Sequence, residues 1–217
     1  VEETEYLTDA LSREAVDFVQ RHQKEPFFMY LAYNAPHAPM EATEKYLNRF
    51  LHIKDIKRRT YAAMVSAVDD GVGTLLDKLE ELELDFFLSD NGGPTAHNAA
   101  DNAPLRGFKG DFFEGGVRVP FAVQWKGVIP EGIRYDNPVI SLDIFSTAVA
   151  LAKVTPKNEL DGVNLIPYLT GENNGIPHQE LYWRNYDTQK FAIRTINSKQ
   201  ILKKDETYLF DIQKDML

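Results

Sequence analysis

Asp90 and Asn91 stand side by side in Ser89-Asp90-Asn91-Gly92-Gly93, directly after the apolar run Leu84 to Leu88. A carboxylate and an amide oxygen are hard donors, the kind that Ca²⁺ or Mg²⁺ takes. Such a shell needs about 6–8 oxygens for Ca²⁺, so two adjacent residues leave most ligands to come from elsewhere. The plainer reading is a turn, because Asp-Asn-Gly-Gly favours positive φ without any ligand. Position weighs against the plain reading. Open α/β sheets bind ligands beyond the carboxyl ends of their strands, where this pair would lie.

A second candidate is Lys109, in Pro104-Leu105-Arg106-Gly107-Phe108-Lys109-Gly110. Glycines on its flanks let backbone and ammonium approach an anion closely. A lone lysine is usually a solvated surface group. This one sits in a loop from Asp90 to about Arg118, and loops that long in compact domains are functional or disordered. Phe108, Phe112 and Phe113 supply apolar anchors and argue for order. His37, in Ala35-Pro36-His37-Ala38-Pro39, has its backbone restricted by prolines on both sides and follows another apolar run. A donor imidazole there suits an anion or a leaving group; packing in a proline-rich turn is the alternative. His97, Asn102 and Arg106 lie in the same long loop and are candidates for reaching a substrate. Glu114 and Arg118 are expected to pair and brace it. Asp69 and Asp70 are expected to cap or bond neighbouring backbone, and His22, His52 and His178 have no supporting context.

These residues need elements to hold them. Thr8 is a candidate N-cap for a helix that buries Leu11, Ala15, Phe18 and Val19 and stops at Pro26. Phe27 to Tyr33 is apolar on both alternating faces, as a central parallel strand is. Thr43 to Phe50 reads as a short helix. The clearest helix runs from about Ile56 to Leu82, with Tyr61, Met64, Val65, Val68, Val72, Leu75, Leu76 and Leu79 in a 3.6-residue period. Strands are expected at Leu84–Ser89 and Pro120–Trp125, and Ser141 could cap a helix through Ala152. After Asp161-Gly162, Leu181–Trp183, Phe191–Thr195 and Tyr208–Phe210 read as a small antiparallel meander. The fold class is therefore α/β: a mixed sheet flanked by helices in residues 1–160, then a small C-terminal antiparallel subdomain in 161–217.

The bulk composition narrows the function. A formal net charge of -9 argues against nonspecific nucleic-acid binding, which needs a basic face. The absence of cysteine excludes disulfides and thiolate metal sites within these residues. No stretch approaches the roughly 18 apolar residues of a membrane span.

Taken together, these segments resemble the sulfatase family. The likeness runs through Pro26–Tyr33 into Pro36-His37-Ala38-Pro39, then Tyr61–Gly73, then Ser89–Gly93, and ends with Lys109-Gly110 and Glu114–Pro120. The resemblance implies an alkaline-phosphatase-like α/β fold and hydrolysis of sulfate esters. It implies that Asp90 and Asn91 are the second pair of Ca²⁺ ligands, that Lys109 contacts sulfate, and that His37 lies beside it. Mg²⁺ is the other metal considered. Family members attack sulfur with the hydrate of formylglycine, made from the first residue of a Cys/Ser-x-Pro-x-Arg motif. No such motif, and no first aspartate pair, occurs in these residues. The chain thus resembles the C-terminal portion of a sulfatase, expected to be inactive by itself and to bind divalent cations weakly. By family analogy the substrate is a sulfated small molecule or glycan and the compartment periplasmic, extracellular or lysosomal. Two other readings stay open: a phosphodiesterase or phosphonate hydrolase on the same scaffold, or a non-catalytic anion- or sugar-binding module.

Overall fold

The computed structural model describes residues 5–79 and 85–215. They form two compact units. The first holds helices α1 (Leu7–His22), α2 (Glu44–Leu47) and α3 (Ile56–Leu79), together with the short α4 (Thr95–Asn98). The second holds strand β1 (Asp85–Leu88) with the turn through Gly92, and everything from Asn102 onward. Its elements are α5 (Glu114–Val117), β2 (Phe121–Gln124), α6 (Leu142–Leu151), α7 (Ile166–Leu169) and strands β3 (Leu181–Asn185), β4 (Lys190–Arg194), β5 (Ser198–Lys203) and β6 (Glu206–Asp211).

In the first unit α1 packs on α3, and the buried stripe of α3 is Ala63, Met64, Ala67 and Gly71. This departs from the expected stripe: Val65 is exposed, and small side chains face inward instead. The cause is close approach. A Cβ on Gly71 would collide with the Ser12 hydroxyl and the Tyr33 hydroxyl. Ser12 Oγ donates to the Thr8 carbonyl at 2.8 Å and also bonds the Tyr33 hydroxyl. Thr8 is thus buried inside the helix, and the N-cap position is Tyr6. Asp70 is not a backbone cap either. Its carboxylate takes both guanidinium nitrogens of Arg49 at 2.8 and 2.7 Å, which holds it below its ordinary pKa.

Phe27–Tyr33 does not join a sheet among the described residues. Its side chains alternate as a strand's do, with Phe28 and Tyr30 exposed and Phe27, Met29 and Leu31 half-buried. A ladder needs a partner backbone, and no described strand pairs with it.

In the second unit β1 and β2 pair antiparallel, Asp85 opposite Gln124 and Leu88 opposite Phe121. Leu84, expected at the strand's start, and the last turn predicted for α3 lie outside the described residues. Phe86, Phe121, Val123 and Trp125 pack on a buried core of Ile129, Leu165 and Leu169. The C-terminal meander has four strands in the order β3-β4-β5-β6, each antiparallel to its neighbour. Three were legible in the sequence. β5 was not, because Lys199 occupies an inward position of its alternating pattern beside Ile201. The class is the expected one: α/β with a small C-terminal antiparallel sheet.

Candidate functional site

Ser89 directly follows β1 and donates its N–H to the Pro120 carbonyl, so the next residues emerge at the strand's carboxyl end. Asp90 is exposed there, and one of its carboxylate oxygens accepts the N–H of Asn91 at 2.9 Å. Asn91 Nδ2 donates to the Gly92 carbonyl at 3.2 Å, which fixes the amide's orientation. Ser89 Oγ donates to the Asn91 carbonyl at 3.0 Å. The turn reading and the ligand reading are therefore compatible: the turn orients two hard oxygen donors. That donor set suits Ca²⁺ or Mg²⁺ in kind but fills only part of a shell. Among the described residues no three His, Asp or Glu side chains gather where they could hold a metal.

The Lys109 loop reaches this turn through a pair of buried glycines. Gly92 N–H donates to the Gly116 carbonyl at 3.0 Å, and a Cβ on Gly92 would fall on the Gly115 carbonyl oxygen. On its other side, Gly115 N–H donates to the Arg106 carbonyl at 2.7 Å. A Cβ on Gly115 would come within 2.6–2.8 Å of the Leu105, Arg106 and Gly107 carbonyls. One on Gly116 would strike the Asp111 carbonyl. Gly115-Gly116 is therefore a seam, with the Asp90–Gly92 turn against one side and residues 105–111 against the other. Gly107 and Gly110 bracket Lys109 at φ of +96° and +87°, conformations a side chain would strain. Asn102 Nδ2 donates to the Gly107 carbonyl at 3.1 Å, so it shapes the loop as well as lining it. The Arg106 guanidinium lies 4.2 Å from the centroid of the Phe113 ring and 5.5 Å from that of Tyr208. That stacking ties Arg106 to the C-terminal sheet.

His37 and His97 belong to the first unit. His37 is exposed, with Nδ1 2.6 Å from the Ala38 carbonyl. His97 is exposed on α4. The segments carrying them are neighbours, because the buried Asn98 donates through Nδ2 to the Pro36 carbonyl at 3.4 Å. Asn98 Oδ1 accepts the Ala100 N–H, and Lys57 and Arg58 of α3 donate to the carbonyls of Ala96 and Ala99. Asn98 escaped the sequence reading. Only its burial distinguishes it from other loop amides.

Glu114 was expected to pair with Arg118, and those groups do lie 4.0 Å apart. The closer partner was missed. Lys199 Nζ, 1% exposed, donates to Glu114 Oε1 at 2.7 Å, and Arg194 Nε lies 3.8 Å from the same oxygen. Lys199 and Arg194 are directly opposed on β5 and β4, a like-charge pair that Glu114 offsets. Burial pushes the Lys199 ammonium below the usual lysine range, with Glu114 acting against it. His178, dismissed from sequence, donates or accepts at Nε2 with the buried Asp143 at 2.8 Å. Asp143 also takes the N–H groups of Ile140 and Val163, so that cluster braces the start of α6.

Comparison with known proteins gives the same class. The sulfatase family model matches residues 1–154, and a model described as N-sulphoglucosamine sulphohydrolase, C-terminal, matches residues 108–216. An uncharacterized sulfatase, YdeN, of Escherichia coli K12 is 35% identical over 82% of this chain and 33% of its own length. Human N-acetylgalactosamine-6-sulfatase is 34% identical over 75% of this chain and 32% of its own. The crystal structure of Ps i-CgsB in complex with k-i-k-neocarrahexaose superposes with a TM-score of 0.91 at 40% identity, covering 100% of this chain and 50% of that one. The chain thus spans about a third of the length of these curated relatives and half of that solved structure. With a family model matched across most of its residues, the chain belongs to the sulfatase family.

Proposed function

We propose that this chain carries the anion-binding loop and part of the metal site of a sulfuric ester hydrolase that acts on sulfated carbohydrate. The observation that supports it best is the glycine seam, which holds the Asp90–Asn91 donors and the Lys109 loop in one body in a member of this family. Lys109 offers a positive charge to the sulfate group, and it acts on charge that grows as the S–O bond breaks. Asp90 and Asn91 hold Ca²⁺, with Mg²⁺ as the alternative, and a bound cation would polarise a sulfate oxygen. The nucleophile is supplied by formylglycine from a Cys/Ser-x-Pro-x-Arg motif lying outside these residues. Asn102 and Arg106 serve substrate binding, chiefly by fixing the loop. The family resemblance assigns His37 to the sulfate, and the sequence reading assigns His97 to the substrate.

A glycan substrate is supported by the 40% identical relative solved with k-i-k-neocarrahexaose. Residues 1–160 are the C-terminal part of the catalytic α/β domain and 161–217 a subdomain behind the loop. The family's usual compartments, periplasmic, extracellular or lysosomal, are the expected ones. No helix among the described residues is long and apolar enough to cross a membrane.

The test is turnover by the full-length natural protein on a sulfated oligosaccharide, an aryl sulfate and a phosphate diester. The expected result is sulfate release that chelation abolishes and Ca²⁺ restores, with phosphodiester cleavage at least about 100-fold slower. Preferential phosphodiester cleavage favours the phosphodiesterase reading. Binding of the oligosaccharide without release of sulfate favours the non-catalytic one.

A further inference from the structure

Lys190 opens β4, and its Nζ donates to the Gly110 carbonyl at 3.0 Å and to the Asp111 carboxylate at 3.2 Å. Gly110 and Asp111 directly follow Lys109. Both partners of the ion pair are largely withdrawn from solvent, Lys190 at 18% exposure and Asp111 at 12%. The same stretch of loop closes on itself through the Asp111 N–H, which donates to the Phe108 carbonyl at 2.9 Å. Gly110 is at positive φ, and the space where its Cβ would be is open for 4 Å. The Lys190 ammonium holds that peptide by a charge-assisted hydrogen bond to its carbonyl.

We propose that Lys190 is a positioning residue for the anion site: from the C-terminal sheet it pins the peptide beside Lys109 and so sets where the Lys109 ammonium points. The inference rests on the sulfate-binding reading of Lys109 given above. It assigns the antiparallel sheet a part in the reaction that its distance in sequence from the loop conceals. Lys190 acts through backbone and touches no substrate, so its loss should weaken anion binding without unfolding the domain. The rest of the sheet's hold on the loop is independent of it: Phe113 packs edge-on against Tyr208 and Phe210, and Glu114 is bound by Lys199.

The experiment compares the full-length protein with Lys190→Met, which keeps the apolar stem, and with Lys190→Arg, which restores a cation. Amide hydrogen exchange of the peptide spanning 105–113, affinity for inorganic sulfate, kcat and KM on a sulfate ester, and melting temperature are measured on each. In Lys190→Met, exchange in that peptide should rise about tenfold. The sulfate dissociation constant and KM should rise by a similar factor, melting should fall by only a few degrees as Asp111 loses its partner, and Lys190→Arg should recover most of both losses. Unchanged loop exchange and sulfate affinity in Lys190→Met overturns the proposal. Faster loop exchange with unaltered sulfate affinity overturns it too, since the clamp would then be structural only. A wild-type protein that neither binds sulfate nor cleaves sulfate esters defeats the functional reading itself, and Lys190's role toward sulfate with it. The exchange comparison would then still decide whether Lys190 holds the loop.

Discussion

Lys199 shows what a single residue costs and contributes in this fold. An ammonium at 1% exposure loses nearly all its hydration, and the nearby Arg194 charge adds to the penalty. Glu114 is what makes it tolerable, and Glu114 is in turn 4% exposed. Removing one partner leaves the other charged, buried and short of its match, so Lys199→Met should destabilise the protein by about 3 kcal/mol. The double variant Lys199→Met/Glu114→Gln should recover part of that, because it removes the under-matched carboxylate, although Arg194 then loses its partner at 3.8 Å. Denaturant unfolding of the two variants checks this, and equal losses in both would show that the lost contact of the Lys199 ammonium with the Trp183 ring, 5.0 Å from its centroid, carries the effect. The sequence hid the pair for a physical reason: 85 residues separate its members, and an inward lysine reads as a broken strand pattern. Asp90, Asn91 and Lys109 were singled out because glycines and an apolar run flagged them locally. Lys190, Asn98 and Arg106's stacking partners were not, since only the folded chain brings them to their loops.

Among the elements, the two-residue glycine seam of α5 matters more than its length of four residues suggests. Three backbone segments meet on it at distances that exclude any Cβ. Gly92→Ala should therefore separate the Asp90–Asn91 turn from α5, at a cost of about 2 kcal/mol or more, as overpacking of a close contact does. Ca²⁺ affinity of the full-length protein should fall at least tenfold. A Gly73→Ala control, with nothing within 4 Å of its Cβ, should be neutral or slightly stabilising. Calorimetry and metal titration read both, and a Gly92→Ala protein that melts and binds metal like wild type would refute the seam. Elements whose periodicity is intrinsic were well forecast: α1, α3, α6, β1 and β2 stand within a few residues of their expected positions. What failed depended on neighbours. The inward face of α3 was set by how closely α1 approaches at Gly71, and Phe27–Tyr33 reads as a strand but finds no ladder among the described residues.

In the whole molecule three things come together: a family identity across most of the chain, a turn offering hard oxygen donors, and a cationic loop braced by a C-terminal sheet. On the proposed function, Lys109 serves the sulfate of a substrate ester. The most direct measurement is steady-state sulfate release by the full-length protein and its Lys109→Ala variant, with melting temperature and loop exchange recorded alongside. Loss of kcat/KM by about 100-fold or more, with melting and exchange of residues 105–113 unchanged, is the predicted result. Sulfate release by Lys109→Ala at the wild-type rate would contradict it.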